Sequence, residues 1–249
     1  MKKYLLLGTS LIVASSAYAA FDCTKIPTCA DLGFTMSATD CAGKNMLKCP
    51  FDTDKVFCGG CKVGAVLCDD LQCYDADNIP SDKTPIAVVF DSANRLAIGL
   101  NNAPSTMYWS SIKEDISGLT NYTSSSAALT ETTTGKENTA TIVALGGDYA
   151  SSNYAPGYCY NLTEGGQPIG SWFLPNLKES KIIYDNKSTI NTTFDKINAK
   201  RLTEAFYWTS TEYNASQARG IYMSNSDLHY NPKINGGKAR VRCAIQYFK

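Results

Sequence analysis

The sequence predicts an α+β fold preceded by a small disulfide-rich module. Eight of the ten cysteines fall between Cys23 and Cys73, whereas Cys159 and Cys243 stand alone in the rest of the chain. That rest combines short apolar runs of strand length with segments whose apolar residues recur at helical spacing. We therefore expect a cysteine-rich module at residues 20–74, a polar, turn-rich linker at 75–84 and a folded domain at 85–249.

Residues 1–19 have the pattern of a bacterial secretory signal peptide. Lys2 and Lys3 precede an apolar run from Tyr4 to Val13, and Ala17-Tyr18-Ala19 is a small-residue cleavage site. The apolar run is too short to span a bilayer, and no later segment is long enough, so we expect no transmembrane anchor. The mature chain is expected to be secreted, periplasmic or held at the cell surface, in an oxidising compartment where cysteines pair.

The cysteine-rich module is too short to bury a large core, so we expect disulfides to stabilise it. Its eight cysteines permit complete pairing within the module, but the spacing does not reveal which cysteines pair. The sequence Cys58-Gly59-Gly60-Cys61 leaves open half of a zinc site or a redox motif, although the module has no histidine. Structural disulfides are the favoured interpretation, and we expect no metal and no other cofactor.

Charge and histidine content argue against two classes of function. The chain has 23 basic and 23 acidic residues, and this balance argues against nucleic-acid binding. The single histidine, His229, lies in a polar stretch, and the sequence has no nucleophile elbow and no histidine pair for a metal. We therefore expect a protein that is not an enzyme.

The domain at 85–249 opens with a predicted β-hairpin. The apolar runs Pro85–Phe90 and Arg95–Leu100 flank the turn residues Asp91-Ser92-Ala93-Asn94. Residues 117–141 are rich in Ser, Thr and Asn and predict a long surface loop. The apolar run that follows ends at Gly146-Gly147, as a helix C-terminus would.

Two helices and a final strand complete the predicted domain. One helix is expected from Pro175 toward Tyr184, because proline suits the first helical position. A second begins after Ser188 or Thr189 and has an apolar face made of Ile190, Phe194 and Ile197.

Alternation from Lys238 to Tyr247 predicts a strand whose buried face includes Cys243. Because Cys159 is the other cysteine outside the module, we expect a Cys159–Cys243 disulfide.

Four sequence motifs carry a resemblance to a known family. They are Tyr158-Cys159, the string Gly170-Ser171-Trp172-Phe173-Leu174-Pro175 followed by Glu179, the string Phe206-Tyr207-Trp208-Thr209-Ser210-Thr211-Glu212, and Arg240-Val241-Arg242-Cys243. In this order they resemble the Lcl C-terminal domain family, and the cysteine-rich opening is similar to that of long secreted members. The resemblance implies a C-type-lectin-like fold, a small mixed sheet with two helices whose ends are joined near a disulfide. It does not imply calcium binding, because the chain has only Leu174-Pro175-Asn176 and no Trp-Asn-Asp string.

The same resemblance implies an extracellular glycan or protein ligand, since the best-known members are bacterial adhesins that bind sulfated glycosaminoglycans. Residues 213–237 are rich in Tyr, Ser, Asn and Gly, the residue types that antibody loops use for contact. Residues 213–243 contain five basic residues and a single acidic one, Asp227, and this excess would attract an anionic polysaccharide. The basic residues are Arg219, Lys233, Lys238, Arg240 and Arg242. The candidate binding residues are Tyr213, Asn214, Tyr222, Asn225, His229, Tyr230, Asn231, Lys233 and Arg240.

Alternatives stay open at the sequence level. Tyr, Ser, Asn and Gly are also common in turns and exposed strands, and Arg240 and Arg242 also fit the solvent side of a last strand. The chain is therefore either an exported adhesin or a structural subunit of a surface appendage or envelope assembly, and it can form an oligomer in either case. A further hypothesis is that a diversity-generating retroelement, which rewrites adenines in a coding repeat, has varied the terminal loops. Several residues there are of types that such rewriting can produce. They are Asn214, Ser216, Asn225, Ser226, His229, Tyr230, Asn231 and Asn235.

Overall fold

The computed structural model describes residues 61–235 and 237–247, together with three short strands nearer the N-terminus. These strands are β1 (Met36–Ser37), β2 (Met46–Lys48) and β3 (Lys55–Cys58), which pair antiparallel in the order β1-β3-β2. The predicted signal peptide and most of the predicted cysteine module lie outside the described residues.

A six-stranded antiparallel sheet forms the centre of the described domain. Its strands run in the order β5-β4-β6-β7-β12-β8. They are β4 (Val66–Cys68), β5 (Cys73–Tyr74), β6 (Pro85–Asp91), β7 (Leu96–Gly99), β8 (Trp172–Phe173) and β12 (Ala244–Gln246). The resemblance implied a mixed sheet, but among the described residues parallel pairing is confined to two isolated bridges, Tyr108 with Tyr154 and Tyr207 with Arg240.

The predicted hairpin is confirmed by the pairing of β6 with β7. The carboxylate of Asp91 accepts hydrogen bonds from the backbone N–H groups of Ala93 and Asn94 and so holds the turn. Side chains alternate across the two strands: Val88, Phe90 and Ile98 belong to one buried cluster, and Ala87, Val89 and Ala97 to another. The sheet is therefore covered on both faces, which explains why the hairpin strands read as continuous apolar runs.

Residues that we assigned to the cysteine module belong to the central sheet. Strand β4 pairs with β6, and a disulfide joins Cys61 to Cys73 at the start of β5. Cys68 is buried with a free thiol, so the expectation that every cysteine of the module is paired is wrong. Burial raises the pKa of this thiol to about 12, which keeps it protonated and unreactive.

The structure contains five α-helices among its described residues. They are α1 (Ser125–Ala128), α2 (Gly135–Val143), α3 (Ala155–Asn161), α4 (Leu177–Asp185) and α5 (Lys187–Lys196), with single 3₁₀ turns at Gly147–Ala150 and Glu164–Gly166. The two predicted helices correspond to α4 and α5. The predicted loop at 117–141 is wrong in part, because it contains α1 and the first turns of α2. Thr134 and Glu137 form a capping box at the start of α2. This capping box marks a helix start, but the low apolar content of the segment had favoured a loop.

Helices α4 and α5 begin directly after asparagines, Asn176 and Asn186, rather than at the predicted residues. The Asn176 side chain accepts from the N–H of Glu179, and the Glu179 carboxylate accepts from the N–H of Asn176, which closes a second capping box. Pro175 lies just before this cap, and α5 follows α4 after the single residue Asn186. The predicted apolar face of α5 is confirmed, since Ile190 and Phe194 are fully buried and Ile197 packs against the same cluster.

The predicted Cys159–Cys243 disulfide is present and links α3 to the residue before β12. The predicted final strand is shorter than expected, because only Ala244–Gln246 pair as a strand. Arg242 is 3% exposed, so it does not lie on a solvent-facing side as the alternation suggested. None of the helices in the described part of the chain has the length and apolar character needed to cross a bilayer.

Candidate ligand-binding surface

The segment that sequence analysis selected forms a separate three-stranded antiparallel sheet. Strand β9 (Phe206–Asn214) pairs with β10 (Gln217–Tyr222), which pairs with β11 (Leu228–Pro232). Strand β11 is an edge strand, whereas β9 and β10 are largely buried. Gly220 is required in the centre of this sheet, because a Cβ there would lie 2.3 Å from Phe206 Cζ and 2.4 Å from the Tyr207 carbonyl oxygen.

Four aromatic side chains form a continuous row around the edge strand, which we call the ring row: Tyr213, Tyr230, His229 and Tyr222. The ring centroids of Tyr213 and Tyr230 lie 3.9 Å apart, and those of Tyr230 and His229 lie 5.1 Å apart, both in stacked orientation. The ring of His229 lies 6.5 Å from that of Tyr222. Neighbouring residues of a strand point to opposite faces, so the row passes from one face of the sheet to the other around the edge formed by β11.

The ring row is accessible along its length but rests on buried groups. His229 is exposed, and the three tyrosines are partly exposed. Arg219 lies beneath Tyr213, with its guanidinium carbon 4.9 Å from the ring centroid, and is only 2% exposed. Its Nε donates to the Tyr122 carbonyl at 2.7 Å, so this arginine fixes Tyr213 and is not available to a ligand.

The structure does not bring the predicted asparagines together at the ring row. Asn214 is the last residue of β9, at the β9–β10 turn, and its side-chain oxygen accepts from the N–H of Ser216. Asn225 lies in the β10–β11 turn and accepts from the N–H of Asp227. These two turns are at opposite ends of β10, roughly 17 Å apart at the usual rise of a strand. Asn231 lies in β11 next to Tyr230, and its side chain is partly exposed.

The prediction that Lys233 contributes to an exposed surface is wrong. Its side chain has an exposure of 0% and forms an ion pair with the equally buried Glu212. Arg219 and Arg242 are also buried, so three of the five basic residues that we counted on this face point into the protein. Arg240 is partly exposed and Lys238 is exposed, with the Lys238 ammonium 5.0 Å from the ring centroid of Tyr108. The face is therefore aromatic rather than strongly basic.

A buried polar network that the sequence analysis missed lies behind this sheet. Glu131 accepts from the Asn138 amide at 2.6 Å and from the Thr211 hydroxyl at 2.7 Å. Glu179 accepts from the backbone N–H of Gly135 at 3.0 Å. Burial raises the pKa of Glu179 to about 7. The network connects α2, α4 and β9, and no group of three or more potential metal ligands is found in the described part of the chain.

A cavity at the described surface lies away from this sheet. It is an open groove of about 540 Å³ between α5 and the loops that flank β4 and β5. Its lining is polar, with the ion pairs Lys62–Asp75 and Lys196–Asp77 at its sides. It contains no aromatic residue, and no sequence signal pointed to it.

Comparison with known proteins gives a structural neighbour but no family. No family model and no curated protein match the sequence. The structure is similar to that of a fimbrial protein from Bacteroides ovatus, with a TM-score of 0.57 and 14% sequence identity over 75% of this chain. The aligned region covers 49% of the fimbrial protein, so this chain matches about half of that protein's length. At this identity the similarity shows a shared α+β fold alone.

Proposed function

We propose that this chain is an exported bacterial surface protein that binds a glycan or protein ligand through the ring row. The observation that carries the proposal is the row itself, in which exposed His229 continues a stack of tyrosine rings around an unpaired strand edge. Aromatic rings give a large contact area at a low cost in conformational entropy. The fold is C-type-lectin-like in this proposal, and the protein is a binding protein rather than an enzyme.

The ligand is expected to contact rings rather than cations. The sequence suggested a sulfated glycan because of the local excess of basic residues, but Arg219, Lys233 and Arg242 are buried. Of those five basic residues, Lys238 and Arg240 stay accessible to an anionic group. Binding should therefore depend only weakly on salt concentration, because few ions are displaced from the protein.

Binding of the whole mature chain to glycan and protein arrays tests the proposal. The whole mature chain is needed, because a fragment that begins at residue 83 would lack β4 and β5, which belong to the central sheet. The double variant His229→Ala/Tyr230→Ala should lose at least about tenfold in affinity, since exposed aromatic anchors dominate such contacts. Tyr184→Ala, which changes a partly exposed tyrosine on α4, is the matched control and should bind normally. Equal binding by the double variant and the wild type would show that the ring row is not the site.

A structural subunit of a surface appendage is the second candidate function. The similarity to a fimbrial protein favours it. In this role the ring row packs against another subunit instead of binding a separate ligand. Negative-stain microscopy and cell fractionation of the producing bacterium distinguish the two, because a subunit is found in filaments and a monomeric adhesin is not.

A further inference from the structure

The ion pair between Lys233 and Glu212 is sealed inside the protein. Both side chains have an exposure of 0%, and Lys233 Nζ contacts Glu212 Oε1 directly. Burial lowers the pKa of Lys233 and raises the pKa of Glu212. Removal from water therefore shifts both groups toward their uncharged forms, an amine and a carboxylic acid.

The groups around this pair match an amide better than they match two ions. Lys233 Nζ donates to the Glu114 carbonyl at 2.7 Å and lies 4.9 Å from the ring centroid of Trp109. The Glu212 carboxylate accepts from a single backbone donor in the described part of the chain, the N–H of Ile116, at 3.3 and 3.2 Å. A buried ammonium and carboxylate need more hydrogen bonds than this to offset their loss of hydration. An amide needs one acceptor for its N–H and one donor for its oxygen, and Glu114 and Ile116 provide these.

We propose that Lys233 and Glu212 condense into an intramolecular amide, so that the pair is a self-modification site. A proton first passes from the ammonium to the carboxylate within the pair. The uncharged Nζ then attacks Glu212 Cδ, the bond from Cδ to the hydroxyl oxygen breaks, and the hydroxyl leaves as water with a proton from the nitrogen. The reaction needs no oxidant, reductant or second substrate.

Two backbone groups are placed to assist this condensation. The Ile116 N–H points at the Glu212 oxygens, where negative charge develops in the tetrahedral intermediate. The Glu114 carbonyl holds one amine hydrogen and so fixes the direction of the nitrogen. The amide would join β9 to the segment after β11 and close the sheet that carries the ring row, a consequence independent of any ligand.

Mass spectrometry of the purified mature protein tests the proposal. After reduction and denaturation, the intact mass should be lower than the sequence mass by one water molecule. Trypsin should fail to cut after Lys233 and should release a branched peptide in which Leu202–Arg219 is joined to Gly220–Lys238. Fragmentation must place the loss of water at the link between Glu212 and Lys233.

Controls separate this link from dehydration elsewhere. Lys238→Met changes a nearby exposed lysine and should keep the mass deficit, whereas Lys233→Met should abolish it. The wild-type result decides the question even if Lys233→Met does not fold. A wild-type intact mass equal to the sequence mass, with normal tryptic cleavage after Lys233, would overturn the proposal.

Discussion

Individual buried residues carry most of the unexpected chemistry of this protein. Glu179 is 5% exposed, and both of its carboxylate oxygens accept hydrogen bonds from backbone N–H groups, those of Gly135 and Asn176. Desolvation outweighs these bonds, and the nearby Glu131 adds like charge, so the pKa of Glu179 lies at about 7 instead of 4.5. One carboxyl group therefore couples the stability of the fold to pH near neutrality.

The first prediction concerns the sign of this coupling. Because the folded state binds the Glu179 proton more tightly than the unfolded state, its contribution is fully present below about pH 4.5 and is lost as pH rises through about 7. The loss is about 3 kcal/mol in the free energy of unfolding. Glu179→Gln should remove this part of the pH dependence, measured by urea denaturation between pH 5 and pH 8. Glu137→Gln is the control: hydrogen bonds from Thr134 lower the pKa of Glu137, so this group titrates below the measured range and its substitution should leave the pH dependence between pH 5 and pH 8 unchanged.

A second prediction concerns Arg242, which the strand pattern placed toward solvent. Its guanidinium donates to the carbonyls of Gly99 at 2.7 Å, Leu100 at 2.6 Å and Lys200 at 2.8 Å. Lysine keeps the charge but not the planar fork, so Arg242→Lys should leave buried carbonyls unpaired and destabilise the protein by about 3 kcal/mol. Arg240→Lys, two residues earlier and partly exposed, should change the free energy of unfolding by less than about 0.5 kcal/mol. Equal effects of the two substitutions in thermal denaturation would contradict this assignment.

At the level of elements, the sequence was informative where a local pattern determines the structure. The hairpin of β6 and β7 and the helices α4 and α5 follow from apolar runs, turn residues and helical spacing, which need no tertiary information. The end of helix α2 was anticipated from the apolar run that stops at Gly146-Gly147, but its start was missed because the signal there is a capping box in a Ser- and Thr-rich stretch. Helix α3 was missed because it begins at Ala155 without a side-chain cap.

The candidate site was predicted less well than the elements. The aromatic residues of the segment do meet, because alternation and cross-strand pairing bring Tyr213, Tyr230, His229 and Tyr222 to one edge. The basic residues could not be placed from the sequence, since whether a lysine is buried depends on a distant partner. Lys233 is buried because Glu212 and the Glu114 carbonyl are supplied by other segments of the chain.

At the level of the whole molecule, long-range links hold the domain together. The Cys159–Cys243 disulfide spans 84 residues, starts within α3 and encloses α4, α5 and the sheet that carries the ring row. Closing a loop of this length removes about 4–5 kcal/mol of denatured-state entropy in the chain-entropy model. The Cys159→Ala/Cys243→Ala variant should therefore lose several kcal/mol of stability, about 10 °C or more in Tm for a domain of this size. Cys68→Ala is the control, because that thiol is free, and only a small cavity cost is expected.

The position of β12 between β7 and β8 sets the order in which the central sheet can be completed. Residues 244–246 fill a place inside the central sheet, flanked by strands that lie 146 and 71 residues earlier at the pairs Ala244–Ile98 and Ala244–Phe173. Until residues 244–246 are in place, β8 has no neighbour in this sheet and β7 presents an open edge. If the chain is exported as we propose, this order keeps it from completing its native sheet before it has crossed the membrane in extended form. Cys243 arrives with the same stretch, so the bond to Cys159 seals the domain only once the closing strand is available.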